Sequence, residues 1–425
     1  MKNLCLGLLA AVTVAACEPA LEGAGSTIAP QIYEDPTAVL DLHRNLMVFD
    51  AHLDTPARFH AESYDFSARS HWFDDGTQVD LPRMKDGGLD GGFWVIYIPQ
   101  GPLNEASYQI VRDTAFLRQM SIREVASAYR DEIELAFSAD QAEAIHESGK
   151  RVMLQSMENA YPLGEDLSLL RTFYHGGLRM IGLVHFQNNQ FADSATDVSE
   201  AYGGLSELGE ELVAESNRLG LIIDASHASD QALRETLALS TTPIVLSHSG
   251  ANAVYDHPRN VPDDLLLDIA EAGGVIHMNA FSQYLAPLES TPGRATAQGG
   301  LRLKFGASVM DMTPEVRKQY YYERQLVDQK YPPPRASFDQ FMAHVLHVLD
   351  LVGPDHVGIG ADWDGGGGVE DMMDVSELPK ITEALLEAGY SLEDLQKIWG
   401  GNLMRVLREV EAAASEEVFS PPMVN

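Results

Sequence analysis

Eight short apolar runs recur along the chain, at 47–52, 91–98, 151–157, 178–185, 221–226, 243–248, 274–279 and 356–361. Amphipathic stretches separate them. Residues 205–219 set Leu205, Leu208, Leu212 and Leu219 at helical spacing and stop at Gly220, a residue free to adopt the left-handed conformation that ends a helix. Residues 104–130, 229–239, 262–272, 375–389 and 391–412 follow the same pattern. Apolar runs alternating with amphipathic helices mark βα units around a parallel sheet, and eight of them suggest a sheet closed on itself. The predicted fold is therefore α/β, a (β/α)8 TIM-type barrel. A chain of 425 residues with 45% apolar content can fill such a core.

One connection breaks the rhythm. Residues 284–335, between the seventh and eighth runs, form a long insertion with Pro287, Pro292 and Pro332-Pro333-Pro334. They carry one predicted helix, 314–328, with Thr313 as N-cap and Pro314 in its first turn. A loop of this length at a barrel's C-terminal face serves as a lid or an interface. The rest of 41–415 is expected to be the barrel, followed by a tail at 416–425.

The N-terminus has another character. Lys2 precedes an apolar run from Leu4 to Ala16 that is too short for a stable membrane span, so 1–16 is expected to be a secretory signal. Val14-Ala15-Ala16-Cys17 resembles a bacterial lipobox, which makes Cys17 the expected lipidated residue and, with Glu18 behind it, predicts a periplasm-facing lipoprotein of the outer membrane. Residues 17–40, rich in Pro, Gly, Ala and Ser, then act as a tether. Cys5 and Cys17 are the only cysteines, so the bulk of the chain has no disulfide and no thiolate metal site. With 29 Lys and Arg against 63 Asp and Glu, the net charge of −34 argues against nucleic acid as a partner.

In a parallel barrel every strand opens its C-terminal end onto one face, so polar residues distant in sequence converge there. The first run ends in His52-x-Asp54, a pair two residues apart on one side of a strand. The third ends in Glu158, the fourth in His185, the fifth in His227, the sixth in His248 and the eighth in Asp362. Any one of these could be a satisfied polar residue; six strand ends carrying seven of them point to a metal. Imidazole and carboxylate without thiolate suit borderline to hard divalent ions, zinc first, with manganese or cobalt also compatible. Seven donors exceed the need of one tetrahedral ion and suggest two metals about 3.5 to 4 Å apart, bridged by a carboxylate and sharpening a water into a nucleophile.

The residues also resemble a family. His-x-Asp after the first strand, Glu158-Asn159, the Ser-His pairs ending at His227 and His248, His257-Pro258-Arg259-Asn260, Gly360-Ala361-Asp362-Trp363-Asp364-Gly365 and Gly400-Gly401-Asn402 resemble, in order, the renal (membrane) dipeptidase family of zinc metallopeptidases. The resemblance implies a metal-dependent hydrolase barrel of the amidohydrolase type with two zinc ions. In it His52 and Asp54 bind one zinc, His227 and His248 the other, and Glu158 bridges them. Asp362 is implied as the proton shuttle, His185 as the group that polarises the scissile carbonyl, and Arg259 as the partner of the substrate's C-terminal carboxylate. The expected activity is hydrolysis of dipeptides, L-L and also L-D, with tailoring of a peptide natural product such as a siderophore as the alternative. Family analogy adds a homodimer.

Other features are read as structural. His277 is expected to be a buried core histidine, and His344 with His347 a solvated or core-edge helix face, since HxxH alone is a weak metal signal. Gly365 to Gly368 lacks the Gly-Lys-Ser/Thr of a phosphate loop and is expected to be slack backbone beside Asp362. His257 is expected only to help hold the loop of Arg259.

Overall fold

A computed structural model describes residues 36–61, 64–306 and 312–415. The expected signal, Cys17 and the tail at 416–425 lie outside the described residues, as does most of the tether; its last residues, 36–40, already belong to the helix Pro36–His43. Among the described residues ten strands form: β1 Phe49–Leu53, β2 Gly91–Tyr97, β3 Ile133–Leu135, β4 Arg151–Glu158, β5 Leu178–Gly182, β6 Ile222–Asp224, β7 Val245–Ala251, β8 Asn260–Val261, β9 Val275–Met278 and β10 Val357–Ile359. They run parallel in the order β1-β2-β4-β5-β6-β7-β9-β10, which is the eight predicted runs in sequence, with β3 added beside β4 and β8 beside β7. With helices between consecutive strands, the sheet is a nearly closed eight-stranded barrel of the amidohydrolase type.

Side chains complete the closure where the ladders stop. Between β1 and β10 the seam is a parallel bridge from Leu53 to Trp363, with the Asp54 N–H donating to Trp363 O at 2.9 Å. The buried Asp50 carboxylate spans the same seam, accepting from Ala361 N at 3.0 Å and from His52 N at 2.8 Å. Between β6 and β7 regular pairing is confined to Asp224 and Val245. Beyond it the Asp224 carboxylate accepts from the N–H groups of Ser226 (3.0 Å) and Ser247 (2.9 Å), so the strands splay without leaving buried donors unpaired.

One end of the barrel is filled. Phe49, Phe93, Val152, Leu154, Met180, Ile222, Val245 and Val275 form one buried cluster with Leu403, Met404, Val406, Leu407 and Val410 of the helix Asn402–Ala413. Asn402 ties that helix to the start of β10 by donating to Pro354 O and Val357 O, and Gly400 passes so close to Met47 O that a Cβ would lie 2.6 Å from it. The Gly-Gly-Asn motif thus braces the rigid end and leaves the other end free for chemistry.

The insertion is more regular than expected. The predicted helix is present as Pro314–Lys330, with Thr313 accepting from Val316 N, but a second helix, Pro292–Phe305, precedes it. It starts with the same Thr-Pro signature, and Gly299 and Gly300 in its interior masked its helical propensity. Arg294 of one helix pairs with Asp328 of the other at 2.8 Å, and Arg324 donates to Phe73 O at 2.9 Å, which docks the pair onto the β1–β2 connection. No helix among the described residues is long and apolar enough to cross a membrane.

Candidate metal centre

The barrel brings all seven predicted donors together. His52 lies in β1 and Asp54 just beyond it, Glu158 is the last residue of β4, and His248 lies in β7. The other three are not on strands. β5 ends at Gly182, three residues before His185; β6 ends at Asp224, three before His227; and β10 ends at Ile359, three before Asp362. His227 and Asp362 turn into the barrel through left-handed backbone, with φ of 69° and 64°. Such backbone is uncommon for non-glycine residues and persists where the surroundings enforce it, often at functional sites.

Glu158 is the hub. Its Oε1 lies 3.1 Å from His227 Nε2, 3.4 Å from His248 Nε2 and 3.6 Å from His185 Nε2, while its Oε2 lies 3.7 Å from His52 Nε2. His52 Nε2 is also 3.7 Å from Asp54 Oδ2. Three groups have donor atoms within 4.8 Å of one another: His52, Glu158 and His248; Glu158, His185 and His227; and His52, Asp54 and Asp362. The clusters share His52 and Glu158, and they cut across the pairing implied by the family.

Ser247, given no role of its own in the sequence motif Ser247-His248, fixes the histidines. Its hydroxyl donates to Asp224 Oδ2 at 2.6 Å, so the same oxygen can only accept from His52 Nδ1 (3.2 Å) and His248 Nδ1 (2.8 Å). With Nδ1 donating to Ser247, each ring turns its Nε2 toward Glu158. Such outer hydrogen bonds orient metal ligands and typically carry 10- to 100-fold in affinity. Ser247→Ala is expected to lower metal affinity about tenfold or more while Ser247→Thr retains it, measured by competition against a chromophoric chelator. Asn159 supports Glu158 from the other side: its φ is 67°, its Oδ1 accepts from Tyr161 N and Asn189 Nδ2, and its Nδ2 donates to Gln100 Oε1.

The electrostatics ask for a cation. Burial pushes His227 and His248 well below the usual histidine range, the neutral state a metal ligand needs. Burial acts on His52 in the same sense, but Glu158 and Asp54 overcome it and raise His52 well above that range. Glu158 moves well below the carboxylate range, because His185 and His52 outweigh its burial. His52 Nε2 and Asp54 Oδ1 are buried without a hydrogen-bond partner, and His227 Nε2 lies 2.9 Å from His248 Nε2. Buried donor atoms without a partner, and four imidazoles crowded around one carboxylate, make a donor set that fits divalent metal.

The glycine run corrects an expectation. It is packed tightly, not slack: a Cβ on Gly365 would lie 2.1 Å from both Asp362 Oδ1 and Asp54 Oδ2, one on Gly366 would enter the Phe281 ring, and one on Gly367 would strike Ala361 O. The N–H groups of Gly365, Gly366 and Gly367 all point at Asp362 O, at 3.2, 3.1 and 2.7 Å. Only glycine permits this wrap around Asp362. Asp362 itself is pushed well above the carboxylate range by burial, with Asp54 and Glu158 adding to the shift against His52 and Arg259.

Two further groups border the cluster. Arg259 is buried, donating to His248 O at 2.8 Å and Ser249 Oγ at 3.2 Å beneath the Tyr284 ring, with no carboxylate in salt-bridge range among the described residues. His257 accepts from Arg259 N at 3.1 Å and so does hold that loop. The His185 ring lies 4.8 Å from Tyr97 and 3.9 Å from Phe186, which is 46% exposed at the mouth. His277 is structural, its Nδ1 donating to Leu246 O at 2.9 Å, and His344 accepts from Ala251 N at 3.1 Å instead of binding metal with His347.

A parallel barrel with histidines and carboxylates gathered at its C-terminal mouth defines a metal-dependent hydrolase of the amidohydrolase type. The family model of the membrane dipeptidases, peptidase family M19, matches residues 37–420, and the chain belongs to that family of peptide-bond hydrolases. Dipeptidase tcpJ of Claviceps purpurea is 33% identical over 369 residues, 84% of this chain and 76% of the relative. Among solved structures, the probable dipeptidase PvdM from Pseudomonas aeruginosa is 31% identical with a TM-score of 0.76, covering 91% of this chain and all of the other. A metallopeptidase of family M19, dipeptidase AC, is 25% identical with a TM-score of 0.69 over 86% of this chain and 99% of its own.

Proposed function

We propose that the protein is a dipeptidase that works with two zinc ions held by His52, Asp54, Glu158, His227 and His248. The observation that carries this reading is the Glu158 carboxylate, which turns one oxygen toward three histidines and the other toward His52, the disposition of a ligand shared by two ions. Bound there, the ions lower the pKa of water and polarise a carbonyl. The protein's own residues do the rest. Arg259, a buried cation without a counter-ion among the described residues, takes the substrate's C-terminal carboxylate through its planar fork and so sets how little peptide can extend beyond the scissile bond. His185 supports the carbonyl oxygen as charge develops on it. Asp362 accepts a proton on the nucleophile's side and delivers it to the departing amine.

The test is release of free amino acids from a panel of L-L and L-D dipeptides by metal-loaded protein. Cleavage of dipeptides but not of their C-terminal amides is expected. No turnover on the whole panel with two metals present would sink the reading and leave tailoring of a larger peptide as the activity to assay. Arg259→Met is expected to raise KM for dipeptides at least tenfold and to erase the preference for a free carboxylate over the amide, measured by steady-state kinetics on the matched pair. From the lipobox resemblance of Val14-Ala15-Ala16-Cys17 we also propose that a lipid on Cys17 anchors the enzyme to the outer membrane. Labelling with radioactive palmitate, lost in Cys17→Ala, checks it.

A further inference from the structure

The insertion meets the glycine run across a cavity of about 240 Å³ whose wall includes Gly366 and Gly367 on one side and Arg294, Arg324 and Arg335 on the other. The charge on this wall is unbalanced. One carboxylate, Asp328, lines it, and that group is engaged already, 2.8 Å from Arg294 Nη1 and 3.6 Å from Arg324 Nε. Arg294 and Arg324 are further occupied by carbonyls, Tyr331 O for the first and Trp72 O and Phe73 O for the second. Arg335 has neither an ion pair nor a hydrogen bond among the described residues; its guanidinium lies over the Trp72 ring, 5.2 Å from the centroid. Three guanidiniums share one carboxylate in a chain of net charge −34. Burial lowers the pKa of Arg335, and Arg324 and Arg294 lower it further against the pull of Asp328, so an anion in the cavity would relieve crowding among like charges.

The cavity also shares a wall with the candidate centre. Gly366 and Gly367 donate to Asp362 O from the turn that carries Asp362, and Gln78, another wall residue, holds the turn from outside by donating to Gly367 O at 2.9 Å.

We propose that this cavity is an anion subsite, taking a carboxylate or a group of like charge and size on the Arg335 guanidinium. The anion has two sources: an acidic side chain of the peptide substrate, or a free small anion acting beside the glycine turn. Only the first rests on the dipeptidase reading. The probes are inorganic phosphate and succinate, titrated calorimetrically into the metal-loaded full chain, and the dipeptide pairs Ala-Glu with Ala-Gln and Glu-Ala with Gln-Ala. Because metals and Arg259 can also bind anions, the quantity that counts is the difference between wild type, Arg335→Gln and Arg335→Lys. If the substrate supplies the anion, wild type favours one Glu peptide over its Gln partner about tenfold in kcat/KM, and Arg335→Gln removes that ratio while Arg335→Lys keeps part of it. If the anion is free, phosphate or succinate binds at least tenfold more weakly to Arg335→Gln and the Glu-to-Gln ratio is near one throughout. Equal anion binding in all three proteins, with no Glu-to-Gln preference in wild type, overturns the proposal. The calorimetric arm reads out whether or not any dipeptide is cleaved, so failure of the subsite and failure of the dipeptidase reading are separable.

Discussion

With Glu158 shared by two ions, as proposed, Glu158→Gln is expected to reduce bound metal to one ion or none and to lower kcat/KM by roughly 10³-fold or more, since it damages both halves of the centre at once. The side chain keeps its size, so the effect comes from charge. Glu158 Oε1 faces His185, His227 and His248, and Oε2 faces His52. An amide would present an N–H₂ donor to at least one imidazole nitrogen that must offer a lone pair, and it would remove the negative charge that compensates two dications. Elemental analysis after dialysis and steady-state kinetics on the best dipeptide measure the two effects. Glu158→Asp separates charge from reach: it is expected to retain more metal than Glu158→Gln and still be slow, because the shorter side chain no longer spans the ions. Two tightly bound ions in Glu158→Gln, with turnover within tenfold of wild type, would remove Glu158 from the bridge.

The barrel was legible because its eight strands are buried on both faces and therefore appear as continuous apolar runs. Glu158 and His248 could be placed from those runs, since both lie on strands. His185, His227 and Asp362 were found as residues but misplaced as strand ends, because the backbone that aims them is a turn beyond the strand. For His227 and Asp362 that turn passes through positive φ, which neither a histidine nor an aspartate announces in sequence. The roles of Asp224, Asp50 and Ser247 were not legible for a different reason. Each is a short polar residue inside or beside an apolar run, and its purpose becomes visible only when the neighbouring strand is in register: Asp224 with Ser247, Asp50 with Ala361. A usable signal did exist in Asp50-x-His52-x-Asp54, three polar residues at period two in a buried strand, where unpaired carboxylate is costly. The glycine run was misjudged because a run of glycines signals slack or close approach equally well, and only the neighbours of Gly365 decide between them.

Those neighbours bear on the second large effect, that of Asp362→Asn, which is expected to keep both metals and lose turnover by roughly 10²- to 10⁴-fold, the usual share of a proton-transferring group. Asparagine matches aspartate in shape and tolerates left-handed backbone, so the φ of 64° and the three glycine N–H groups on the residue's carbonyl are preserved. What it lacks is a proton-accepting carboxylate whose affinity is raised by burial and by Asp54 and Glu158. A loss confined to kcat, with KM and metal content near wild type, is the signature of a group that moves a proton and neither binds substrate nor holds metal. Gly365→Ala provides the contrast. Its Cβ would be forced within 2.1 Å of oxygens on both Asp362 and Asp54, so it should displace a metal donor together with the shuttle and lose metal as well as turnover. If Asp362→Asn loses metal as Gly365→Ala does, Asp362 is a ligand. If it turns over within tenfold of wild type, the proton travels by another route, and His185, 3.6 Å from Glu158, becomes the group to test.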